Sequence, residues 1–139
     1  MIYAGVTAEN GGAYAVLFGN GEDIDARSFS PSIFEKIMNK AQPMDIRCVI
    51  EMPEDGIIER AVKPVNPAVF TRMYCNSRGI PFMFVKQGTV RRAYDMKAGQ
   101  TMAGECRLRY PHIELRGSTE EQEATAAAVL LAKYARRYL

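Results

Sequence analysis

The chain has 139 residues, a formal net charge of +2, 47% hydrophobic and 24% charged residues. That composition is ordinary for one globular domain and excludes a fibrous repeat or a disordered acidic or basic tail. No stretch approaches the run of about 20 apolar residues that a membrane span needs, and the N-terminal MIYAGVTAENGG lacks the basic-then-apolar pattern of a secretory signal. The three cysteines, Cys48, Cys75 and Cys106, form no CxxC pair and cannot all pair with one another, which suits a reduced, cytoplasmic setting. A single histidine, His112, argues against a histidine-based zinc site or a Ser-His-Asp triad.

The first thirty residues read as a β-meander. IYAGVTA is followed by the turn signal Glu9-Asn10-Gly11-Gly12, AYAVLF is closed by Gly19-Asn20-Gly21, and DIDARSF alternates in strand fashion. Ser30-Pro31 then predicts a helix start, with Ile33, Phe34 and Ile37 facing inward and an end near Ala41-Gln42-Pro43. IRCVIEM is a continuous apolar run of the kind found in strands covered on both faces. Residues 53–66 read as a surface connection. Asn66-Pro67 opens a helix to about Arg78, where Gly79 is placed to stop it. PFMFVK is the next strand. Residues 87–116 are polar and basic, with short helical content expected around Ala98–Arg107. Ser118 and Thr119, each followed three residues later by Glu121 or Gln122, carry two capping-box signals ahead of an Ala- and Leu-rich final helix. The order βββ-α-β-α-β-α predicts a mixed five-stranded sheet covered by helices, with the first three strands antiparallel.

Charge is divided along the chain. Residues 1–59 carry four basic and ten acidic side chains, whereas residues 60–116 carry eleven basic and three acidic ones. Such a block is a candidate surface for a polyanion. Within it Arg91, Arg92, Lys97, Arg107 and Arg109 interleave with Tyr94 and Tyr110, a pattern suited to phosphate contacts with tyrosines packing on sugars or bases. His112 has no partner motif around it, and Cys48 lies inside an apolar strand; both read as packing or surface residues.

Several segments carry a family likeness. AGVTAENGGAYAVLF resembles the opening of RuvC-like Holliday junction resolvases, especially those of bacteriophage type, in which the first strand runs into a Gly-Ile-Asp-Pro-Gly turn. CVIEM resembles the family's fourth strand, which ends in a glutamate, here Glu51. MKAGQTMAGECRLRYPHIELRG resembles its basic helix and Pro-containing turn, and EATAAAVLLAKYARR its final helix. The resemblance spans residues 2–138 and implies one ribonuclease H-like domain over 1–139, with sheet order 3-2-1-4-5. It also implies Mg²⁺, or Mn²⁺, as cofactor and branched or duplex DNA as partner, with a homodimer, no membrane contact and a cytoplasmic location. The implied activity is structure-specific cleavage of branched DNA.

The departures lie in the carboxylates. The family's first-strand aspartate falls on Thr7, its final-helix aspartate on Glu123, and a further acid on Ala127. Two Mg²⁺ ions about 4 Å apart need hard carboxylate oxygens between them, and a neutral hydroxyl does not relieve their repulsion. The resemblance therefore implies Glu51, Glu123 and Thr7 as site positions, with Glu51, Glu123 and Glu9 as the available metal ligands and Arg91, Arg92, Lys97, Arg107 and Arg109 as the DNA-binding set. Three readings follow: a weakened endonuclease, a domain that has lost catalysis and retains DNA or protein binding, or a structural or partner-binding protein that never touches DNA, favoured if the eleven basic residues disperse over the folded surface. Convergence of Glu9, Glu51 and Glu123 favours the first; two carboxylates beside Thr7 favour the second.

Overall fold

A computed structural model describes residues 1–19, 23–54, 56 and 66–139. Most of the 53–66 connection, including Arg60 and Lys63, and the centre of the Gly19-Asn20-Gly21 turn lie outside these residues. The strands are β1 (Ile2–Thr7), β2 (Ala13–Phe18), β3 (Asp23–Ser28), β4 (Ile46–Met52) and β5 (Phe82–Lys86). The helices are α1 (Pro31–Met38), α2 (Pro67–Arg78), α3 (Gln87–Ala93), α4 (Met102–Arg109) and α5 (Thr119–Tyr138). The sheet order is β3-β2-β1-β4-β5. β1, β2 and β3 pair antiparallel, while β4 lies parallel to β1 and β5 parallel to β4. This is the mixed sheet expected from the element order.

Strand alternation divides the core in two. Ala4, Val6, Tyr14, Val16, Cys48 and Ile50 point to the face covered by α1 and α2. Ala13, Ala15, Leu17, Val49 and Val85 point to the face covered by α5, with α3 and α4 packed beyond it. This second covering explains why α5 is buried almost all round through its middle turns, from Ala124 to Ala132.

The helix ends follow their local chemistry. Asn66 accepts hydrogen bonds from the N–H groups of Ala68 and Val69 at the start of α2, and Gly79 ends that helix in the left-handed region with φ 71°. Ser118 and Glu121 form a reciprocal capping box on α5, whereas Gln122 turns its amide to the Gly117 carbonyl instead of forming a second box. Three expectations are corrected. Ile33 is exposed at 38%, and α1 buries Phe34 and Met38 instead, with Ile37 half-buried. α1 ends at Met38 rather than near Ala41, where Arg78 donates to the Met38 and Ala41 carbonyls. The basic segment holds two helices, α3 and α4, and α4 begins at Met102 because Thr101 caps it.

Gly5 sets the distance between α5 and the sheet. A Cβ at this position would lie 2.4 Å from the Ala128 carbonyl oxygen, 2.5 Å from the Ala132 nitrogen and 2.7 Å from the Leu131 Cβ. Two of these neighbours are backbone atoms that no rotamer change can move. Replacing Gly5 by alanine is expected to destabilise the domain by at least about 2 kcal/mol through overpacking. The urea midpoint of Gly5→Ala, compared with that of the natural chain, reads the effect directly. An unchanged midpoint would show that α5 can shift away from β1 without cost.

Candidate functional site

β1 and β4 are parallel neighbours, with Val6 opposite Ile50, so their carboxyl ends lie side by side. Sheets of this kind gather sites at such ends. Alternation places Thr7 on the face of Gly5, and Glu51 on the face of Val49, both toward α5. Thr7 is fully buried, and its hydroxyl donates to Glu51 Oε2 at 3.0 Å. The same hydroxyl oxygen accepts the Glu9 N–H at 3.1 Å. Gln87, at the start of α3, reaches Glu51 Oε1 with its side-chain amide at 3.5 Å. Glu9 itself sits in an exposed 3₁₀ turn, Glu9–Gly11, beyond the end of β1.

Glu51 is only 4% exposed, and its carboxyl is pushed up to about 7. Burial is the main cause. The Thr7 hydrogen bond opposes it, the charge of Glu9 adds to it, Gln87 opposes it and Glu54 adds to it. A carboxyl in this state is shared between its neutral and ionised forms near neutral pH.

Glu123 is turned to a different task. Its Oε2 accepts the Met102 N–H and its Oε1 the Ala103 N–H, both at 2.8 Å. Thr101 accepts the Gly104 N–H at 2.9 Å. The first three free N–H groups of α4 are thus satisfied by one carboxylate and one hydroxyl, in the place where a helix most favours negative charge. Glu54 does the same at α3, accepting the Gly88 N–H at 3.2 Å. Ala127, where a further acid is expected, is buried in the core at 2% exposure.

The donor set does not fit a two-metal centre. Among the described residues no group of three His, Cys, Asp or Glu side chains is placed to hold a metal ion. Thr7 and Glu51 meet; Glu123 has both its oxygens on the α4 backbone, and Glu9 lies outside in the turn, sensed at Glu51 as a charge.

The basic segment borders this site through Gln87 and Met102. Arg91 braces it from within, donating to the Lys97 carbonyl at 3.2 Å and the Gln100 carbonyl at 2.6 Å. Arg109 is also committed, pairing with Glu105, donating to the Tyr94 carbonyl and lying over the Tyr94 ring. Tyr94 is buried, whereas Tyr110 is half-buried with Lys133 over its ring. Arg92, Lys97 and Arg107 lie on the surface; Arg92 touches Thr89, and Arg107 touches Gln122. Sequence reasoning missed Gln87 and Glu54, whose positions beside Lys86 and Pro53 carry no motif. It also missed the capping role of Glu123, although Thr101 and Gly104 mark a helix start whose other donors need acceptors.

No protein-family model matches the chain, and no curated protein matches it in sequence. Solved structures do match in shape. The structure of Thermus thermophilus RuvC superposes with a TM-score of 0.54 at 14% identity, covering 99% of this chain and 96% of that one. T. thermophilus RuvC in complex with a Holliday junction substrate gives a TM-score of 0.60 at 14% identity, with the same coverage. The fold is RuvC-like. At that identity the likeness establishes the RuvC-like fold and leaves activity to the residues of this chain.

Two expectations follow. The raised Glu51 carboxyl means that the folded state holds its proton more tightly than the unfolded chain. This group therefore weakens stability progressively as pH rises from about 4.5 to about 7. Glu51→Gln should stabilise the domain relative to the natural chain by up to roughly 3 kcal/mol more at pH 8 than at pH 4, read from paired urea titrations. Glu123→Ala should cost about 1–2 kcal/mol and speed amide exchange at Met102 and Ala103, because two helix donors lose their acceptor.

Proposed function

We propose that this chain is a RuvC-like DNA-binding domain that recognises branched DNA and its duplex arms without cutting them. The observation that carries this reading is the engagement of both Glu123 carboxylate oxygens by the α4 backbone, beside a neutral Thr7. Hydrolysis through two metals needs carboxylates free to bridge cations. Here one is a helix cap, one is buried with a raised proton affinity, and one is replaced by a hydroxyl. Structure-specific cleavage is accordingly the less favoured reading.

The basic segment supports the binding half of the proposal. Exposed Arg92, Lys97 and Arg107 stand on a frame held by Arg91 and Arg109, so cations are presented from a braced surface rather than a loose tail. Such contacts neutralise phosphates and set affinity without reading sequence. The Holliday junction bound by T. thermophilus RuvC gives the substrate class to test first. A homodimer is part of the reading, since a four-way junction has two-fold symmetry that two copies can match.

The test is binding and cleavage of a synthetic four-way junction, with EDTA and with Mg²⁺ or Mn²⁺. Binding in EDTA, two chains per junction and no cleavage in either metal are expected. The double variant Arg92→Glu, Lys97→Glu should bind more weakly and lose about 0.9 from the salt slope for each duplex phosphate contact removed. Arg91 is avoided here because its loss would loosen the segment. Metal-dependent cleavage abolished by Glu51→Gln would overturn the proposal, as would failure to bind DNA at low salt.

A further inference from the structure

β3 is an edge strand, and among the described residues it pairs with β2 alone. The Phe29 N–H donates to the Gly12 carbonyl at 3.1 Å, and the register continues from Ala13 opposite Ser28. Hydrogen-bonded and non-bonded pairs alternate along an antiparallel ladder. Arg27, Asp25 and Asp23 therefore bond toward β2, and Ser28, Ala26 and Ile24 turn their N–H and C=O groups to the open side.

A groove of about 740 Å³ runs along that side. All six residues of β3 line it, from both faces of the strand, which places its length along the strand edge. Its opposite wall is the segment carrying His112, Glu114 and Arg116, and Glu121 and Thr125 of α5 complete it. The lining carries four carboxylates, those of Asp23, Asp25, Glu114 and Glu121, against the two guanidiniums of Arg27 and Arg116. Both guanidiniums are already paired within the wall, Arg27 with Asp25 at 2.9 Å and Arg116 with Glu114 at 3.0 Å, and Glu121 accepts the Ser118 N–H at 3.1 Å in its capping box while keeping its charge, so the net negative charge of the lining rests on Asp23 and Glu121.

We propose that this groove is a docking site for an extended segment of a partner protein carrying lysine or arginine, which adds to β3 as a sixth strand. The open N–H and C=O groups supply the backbone ladder of strand addition, and the excess carboxylates select cationic side chains at alternate positions. The same excess disfavours nucleic acid here. Among the described residues, none of α3 or α4 lines the groove, although Arg107 of α4 touches Gln122 beside it.

The probe is an N-acetylated, fluorescein-labelled octapeptide of alternating lysine and valine, titrated with the whole chain and followed by anisotropy. Its glutamate–valine counterpart is the control. The lysine peptide should bind at least about tenfold more tightly than the control. Ala26→Pro removes one outward N–H without touching the β2 ladder, a substitution that edge strands accept. It should weaken peptide binding at least about tenfold while leaving junction binding unchanged. Should Ala26→Pro unfold, the surface variant Asp23→Lys, Glu114→Lys decides alone and should weaken the lysine peptide by a similar factor. Equal binding of the two peptides, or unchanged binding in whichever of these variants folds, would overturn the proposal.

Discussion

The approach of α5 to β1 at Gly5 is the contact on which the rest of this domain depends. Only a residue without a side chain lets a helix backbone come within the 2.4 Å that a Cβ would span to the Ala128 carbonyl. The flanking positions answer with small residues: Ala13 and Ala15 on the sheet, Ala124, Ala127, Ala128 and Ala132 on the helix. This close seating fixes α5 along β1 and so fixes where Glu123 stands near the strand ends. Glu123 in turn holds the first turn of α4 by two backbone hydrogen bonds, and α4 carries Arg107 and Arg109. One glycine thus sets the placement of part of the basic surface.

Electrostatics then separates this site from a hydrolytic one. Metal centres concentrate negative charge that bound cations relieve. In this chain the negative charge is relieved by other means. Helix N-termini take Glu54 and Glu123, a hydroxyl takes one oxygen of Glu51, and burial keeps Glu51 partly protonated near neutral pH. Each of these carboxylates thus has its hydrogen-bond partners within the fold, and a partly protonated Glu51 carries less negative charge than an ionised one would.

Much of the fold was legible because it rests on local chemistry. The turn glycines, the Asn66-Pro67 cap and the Ser118–Glu121 box each specify a boundary through short-range hydrogen bonds, and the antiparallel β1–β2–β3 half of the sheet follows from two short connections, whereas the places of β4 and β5 came with the family resemblance. α3 was not legible, since QGTVRRA has neither an apolar stripe nor a side-chain cap and forms where β5 delivers it against α5. At the site, the placing of Thr7 with Glu51 came from the family resemblance, and the parallel pairing of β1 with β4 is what brings them together. The fate of Glu123 was not legible. Whether a carboxylate on a first helical turn faces a metal or a neighbouring helix depends on where α4 starts, and that is a tertiary fact. The same holds for the hydrogen bonds that Arg91 and Arg109 make to the carbonyls of their own segment.

The central claim is that the carboxylates near the ends of β1 and β4 are held by internal hydrogen bonds and leave no cation site among the described residues. Direct titration of the natural chain with Mn²⁺, followed by the electron paramagnetic resonance of free ion, tests it most simply. The account predicts no saturable binding at millimolar Mn²⁺ and an identical trace for Glu51→Gln. Stoichiometric Mn²⁺ binding that disappears in Glu51→Gln would contradict it.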